Sequence, residues 1–155
     1  MLIAQYATQL FAGGAFRVGT GRTLSFSTPS DLAVYLPSQG TAATLTQSWV
    51  NPAFNRGGSL GGEVTALKLN VRVSDLGGLP PGFGNLIINV DTLDGAGVAF
   101  RGKTVRQVLG EAETVLGTGP QASASVYATA AARINSRYDL DNNGQNDDPD
   151  LLACP

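Results

Sequence analysis

Between Asp139 and Asp150 the chain reads Asp-Leu-Asp-Asn-Asn-Gly-Gln-Asn-Asp-Asp-Pro-Asp, and no other stretch restricts its structure so sharply. Counted from Asp139, oxygen-bearing side chains stand at positions 1, 3, 5, 9 and 12, and Gly144 stands at position 6. Gln145, at position 7, can offer its backbone carbonyl. A hard divalent cation takes about six to eight oxygens, and a chain wrapping around one needs a sharp turn that glycine tolerates. The spacing therefore predicts a calcium site with Asp139, Asp141, Asn143, Gln145, Asp147 and Asp150 as ligands. The competing reading is a merely solvated polar segment. Five donors and a glycine in one register favour the metal.

Charge placement agrees with that reading. Residues 1–138 hold 10 basic and 7 acidic groups, net +3, whereas residues 139–155 hold 5 acidic groups and no basic one. Crowding carboxylates costs repulsion that a bound cation relieves. Elsewhere charge is sparse: charged residues make up 14 % of the chain, and 20 glycines imply many loops. No basic stripe exists to follow a phosphate backbone, so nucleic acid is not an expected partner. Histidine is absent, which removes the commonest general base and zinc ligand. The lone Cys154 cannot bridge within its own chain, so it is either a plain tail residue or one half of an intermolecular disulfide. No segment has the apolar length of a membrane span, and the opening residues Met1–Tyr6 lack the positive start of a signal peptide.

The 155 residues suit one domain, expected over 1–138, followed by the loop and tail at 139–155. Residues 2–11 have loose helical spacing, closed by Gly13-Gly14. Phe16–Val18 and Thr23–Ser27 read as a hairpin turning at Gly19-Thr20-Gly21. Thr28 as cap, Pro29 and Asp31 open a short helix that Pro37 ends. Residues 38–59 read mostly as loop. Between 60 and 73 helical and strand periods conflict, and a helix over about 59–70 with an extended exit is predicted. Leu86–Val90 reads as a short buried strand. Val105–Leu116 carries one apolar stripe, a Thr104/Gln107 capping box and Gly117 as its stop. A last helix over about 123–138 points Val126, Ala130, Ile134 and Tyr138 inward and leads into Asp139. The fold class predicted is α+β: a helix-dominated domain with a small sheet built from hairpin 16–27 and strand 86–90.

The loop resembles calcium loops of the EF-hand type. Asp150 stands in place of their usual bidentate Glu, as in dockerins and thrombospondin type 3 repeats. Four further stretches resemble a domain of unknown function that recurs in bacterial secreted and cell-surface proteins. They are Leu24-Ser-Phe-Ser27, Tyr35-Leu-Pro-Ser-Gln-Gly40, Leu60-Gly-Gly-Glu-Val-Thr-Ala-Leu-Lys-Leu-Asn-Val71 and Gly102-Lys-Thr-Val-Arg-Gln-Val-Leu109, together reaching from about Phe16 to Ile134. The resemblance implies export, no known activity and no catalytic residue. It also implies that members begin further upstream, so that Met1 is expected to mark a truncation.

Three rival motifs compete with the loop. Gly97-Val-Ala-Phe-Arg-Gly-Lys-Thr104 fits the phosphate-loop pattern of a nucleotide-binding enzyme, but its middle residues are bulky and Thr104 already serves as a helix cap. Glu111 and Glu113 fall about 200° apart on a helix, and Asp91 and Asp94 sit in a turn, so neither pair reads as a catalytic dyad. Trp49, Phe54, Phe83 and Tyr138 suit a carbohydrate platform less well than they suit core and loop anchoring. The function expected is a non-enzymatic, calcium-stabilised extracellular or cell-surface module for architecture, adhesion or self-assembly. A carbohydrate- or cell-wall-binding module is the first alternative.

Overall fold

A computed structural model describes residues 2–53, 55–78, 81–90, 99–137 and 149–155. Its elements are, in order, α1 (Leu2–Gln5), α2 (Ala7–Leu10), β1 (Phe16–Val18), β2 (Leu24–Phe26), α3 (Pro29–Tyr35), β3 (Trp49–Val50) and α4 (Gly58–Asp75). After them come β4 (Ile87–Ile88), α5 (Val105–Thr118), α6 (Ala124–Arg137) and β5 (Leu152–Ala153). This is the α+β, helix-dominated arrangement expected. Among the described residues, no helix is long and apolar enough to cross a membrane.

α4 is the axis of the molecule. Leu60, Val64, Leu67, Leu69, Val71 and Val73 are all buried along it, on more than one side. A helix enclosed on several sides has no single apolar stripe, which is why its residues also fit a strand pattern. The extended exit expected after Asn70 does not occur, and the helix continues to Asp75. Leu67, Leu69, Val71 and Val73 alternate because opposite helix faces are both covered, by α5 and α6 among others. α6 packs against α4 through small residues, with Ala124, Ala128, Ala131 and Ile134 buried. Ala130 and Ile134 lie inward as expected, Val126 is half-buried, and Tyr138 lies outside the described residues.

The helix starts follow local chemistry. Thr28 caps α3: the Asp31 amide donates to its hydroxyl at 3.2 Å, and its own amide donates to the Asp31 carboxylate at 3.0 Å. Thr104 and Gln107 exchange the same pair of bonds at the start of α5. The far end of α5 departs from expectation. Gly117 lies inside the helix, which runs on to Thr118 and is capped at Gly119. Gly117 is needed for a close approach, because a Cβ there would run into the Thr20 carbonyl in the β1–β2 turn.

The hairpin and the later strand do not share a sheet. β1 pairs antiparallel with β2, Phe16 opposite Phe26, and β3 joins β2 in parallel. The 38–57 loop places β3 there, with the Trp49 amide donating to Thr23 O at 2.8 Å and the Asn51 amide to Ser25 O at 2.7 Å. β4 pairs antiparallel with β5, Ile88 opposite Leu152, and its other side bridges Thr104 through Ile87. Leu151 and Leu152 are fully buried, so residues 149–155 return to the core.

Candidate metal centre

Of the six predicted ligands, Asp139, Asp141, Asn143, Gln145 and Asp147 lie outside the described residues, as does Gly144. Asp150 is described: it is exposed, in a turn directly before buried Leu151. Both flanks of the loop are held by packing. On one side, Ile134 of α6 is buried, and Asn135 Nδ2 donates to the Glu63 carboxylate at 3.0 Å and to the Glu63 carbonyl at 3.1 Å. On the other, the Asn89 amide donates to Leu151 O at 2.8 Å, continuing the β4–β5 ladder. A cation gathered by the loop would therefore join the end of α6 to the start of β5. Among the described residues, no group of three or more His, Cys, Asp or Glu side chains comes together to hold a metal.

The described residues of the phosphate-loop pattern are tied into the fold. Gly97 and Val98 lie outside the described residues. Several amides further on are engaged: Gly102 N donates to Ile88 O at 2.9 Å, Lys103 N to Phe100 O at 3.0 Å, and Val105 N to Leu86 O at 2.9 Å. Thr104 N donates to Gln107 Oε1 at 2.8 Å. A phosphate cradle needs several such amides pointing at one anion. Here they stitch the segment to β4 and start α5.

Both lysines and both α5 glutamates are paired. Lys103 Nζ lies 2.6 Å from Glu111 Oε1, and the Tyr127 hydroxyl donates to Glu111 Oε2 at 3.0 Å. Tyr127 stacks edge-on against Phe100, with ring centroids 5.6 Å apart. Burial, reinforced by the bond to Glu111 and its charge, pushes the Tyr127 hydroxyl up to about 12. Lys68 Nζ lies 2.5 Å from Glu113 Oε1, which also accepts from Gly19 N at 3.0 Å. Glu111 and Glu113 thus serve different neighbours, as their angular separation implied. Asp91 and Asp94 lie outside the described residues.

The aromatic candidates do not form a platform among the described residues. Phe83 is buried, and Trp49 has one face covered by the Arg56 guanidinium, 3.9 Å from the ring centroid. Phe54 and Tyr138 lie outside the described residues. Sequence reading missed a cleft of about 230 Å³ lined by Leu36, Pro37, Ser38, Gly62, Glu63, Ala66 and Asn135. The Gly61-Gly62 doublet was its only sequence signal. A Cβ at Gly62 would strike the Ser38 carbonyl, and one at Gly61 the Tyr35 hydroxyl.

Further contacts join the stretches Leu24–Ser27, Tyr35–Gly40 and Leu60–Val71 and their neighbours. Phe26 packs on Tyr35 with centroids 5.1 Å apart, the Tyr35 hydroxyl donates to Arg56 O at 2.5 Å, and Ser59 N donates to Gly40 O at 3.1 Å. The residues of Tyr35–Gly40 and Leu60–Val71 meet one another, and Gly102–Leu109 contains the α5 capping box. Each stretch has a structural task. No family model, curated protein or solved structure matches the chain.

Proposed function

We propose that the chain is a non-enzymatic, calcium-stabilised module of the cell surface or extracellular space, used in architecture, adhesion or self-assembly. The observation that carries this reading is the position of the donor pattern. Twelve residues with oxygen ligands in EF-hand-like register join a helix anchored by Ile134 to a strand anchored by Leu151 and Leu152. Asp139, Asp141, Asn143, Asp147 and Asp150 would supply side-chain oxygens, and Gln145 its carbonyl. The ion would supply charge neutralisation and a cross-link between two packed elements.

The non-enzymatic part of the reading is supported by the fate of the reactive groups. Histidine is absent, and Lys68, Lys103, Glu111 and Glu113 are committed to ion pairs. The extracellular part rests on the affinity expected of a single weak loop. A single loop of this kind binds at about 10⁻⁴–10⁻³ M, which is filled outside cells and empty in the cytosol. Titration calorimetry of the purified chain with calcium tests the reading. One site in that range, lost in Asp139→Ala, is expected, and no heat of binding up to ~10 mM calcium would reject it. Fractionation of the native cells should place the protein outside the cytosol.

A further inference from the structure

The cleft beside Gly62 is bounded by the 36–38 turn, by α4 and by α6. Ser38 is buried, and its hydroxyl accepts from Asn55 N at 2.9 Å, which pins the turn. Gly62 lets the Ser38 carbonyl lie against α4, where a Cβ would collide with it. Glu63 and Ala66 line the cleft from α4, and Asn135 lines it from α6. The Asn135 amide is held at both ends. Its Oδ1 accepts from Asn70 Nδ2 at 3.2 Å, and its Nδ2 donates to the Glu63 carbonyl at 3.1 Å and to Glu63 Oε2 at 3.0 Å. The carboxylate is thereby fixed while its other oxygen, Oε1, takes no donor among the described residues. Glu63 is the one charged residue lining the cleft, and among the described residues it has no cationic partner.

We propose that this cleft binds a primary ammonium carried on a short aliphatic stem, with Glu63 as its counter-ion. A half-buried carboxylate without a cation calls for a positive ligand. With Asn135 on Oε2, the carboxylate has one open oxygen, which suits a compact ammonium better than a two-pronged guanidinium. No aromatic residue lines the cleft, so a quaternary ammonium finds no cage. Leu36, Pro37 and Ala66 form an apolar wall for methylenes to cover. At about 230 Å³ the cleft is smaller than the roughly 300–1,000 Å³ of a drug-sized site, so it takes a stem of a few carbons. A free amine and a lysine side chain share this chemistry. Nothing in the binding mode uses the acidic loop or calcium.

The test is a titration of the isotope-labelled chain with n-butylamine at near-neutral pH and constant ionic strength. Chelator is present throughout, so the result is independent of the calcium reading. Nuclear magnetic resonance follows the Asn135 side-chain amide and the Ala66 backbone amide. Saturable shifts at both are expected, with 1-butanol and n-butylguanidinium several-fold weaker. Glu63→Gln keeps an acceptor for Asn135 and should lower the affinity for butylamine about tenfold. Shifts that stay linear up to ~100 mM amine overturn the proposal, as does equal binding of the alcohol or the guanidinium. Undiminished affinity in Glu63→Gln also overturns it. If that variant does not fold, Ala66→Leu fills the cleft while keeping the carboxylate, and should abolish binding; unchanged affinity there overturns the assignment. Lysine blocked at both backbone ends separates the sources. Its binding admits a lysine side chain of a polypeptide, and its exclusion restricts the site to free amines.

Discussion

Gly117 and Thr65 show how much of this molecule is decided by single atoms. At Gly117 the last turn of α5 touches the β1–β2 turn so closely that no side chain fits. Gly117→Ala gains about 1 kcal/mol of helix propensity but loses about 3 kcal/mol to overpacking. A net loss of about 2 kcal/mol should appear in urea unfolding. Thr65 is fully buried in α4, and its hydroxyl has no hydrogen-bond partner among the described residues. Thr65→Val keeps the shape and removes the unpaired group, so it should stabilise by about 1 kcal/mol in the same assay. Two tyrosines give a pH signature. Burial raises the Tyr35 hydroxyl to about 12, and Tyr127 stands at the same value. Unfolded tyrosine loses its proton near 10, before either folded one does, so stability should fall as pH rises from about 10 to 12. Tyr127→Phe should flatten part of that slope. Capping residues such as Thr28 and Thr104 were legible in the sequence because their partners lie three positions away. The role of Gly117 was not, because its partner is Thr20.

Among the elements, α5 was read almost to its ends and α4 was not. α5 has one buried stripe and one wet face, so its period is clean. Leu109→Ala should cost about 2–5 kcal/mol, whereas Lys103→Ala removes only a partly exposed ion pair worth about 0–1 kcal/mol. Thermal unfolding of the two variants compares them directly. α4 is covered on several sides, and burial of opposite faces produces the alternation that resembles a strand. The small sheet was divided for a related reason. Strands of two or three residues hold too little pattern to name a partner, so the pairing of β3 with β2 and of β5 with β4 could not be foreseen. The buried Leu151 and Leu152 belong to the core, although residues 139–155 read from composition as loop and tail.

At the scale of the molecule, the chain divides by charge rather than by packing. A weakly positive body precedes a segment holding five acids, and that segment joins α6 to β5, both of which pack into one core. The donor register was visible in the sequence, but the reason a metal there would matter was not, because it depends on β5 returning to β4. Calcium on this account is a clasp between two packed elements. On the proposed reading it would act as a clasp rather than a sensor, since the loop leads into β5 and not into a helix. Thermal melting with calcium and with chelator, on wild type and Asp141→Ala, tests this most directly. With free calcium at a hundred times its dissociation constant, wild type should gain about 2.7 kcal/mol, a rise of roughly 5–10 °C. Asp141→Ala should lose that gain and be no less stable than wild type in chelator. A wild type that melts at one temperature under both conditions would contradict the account.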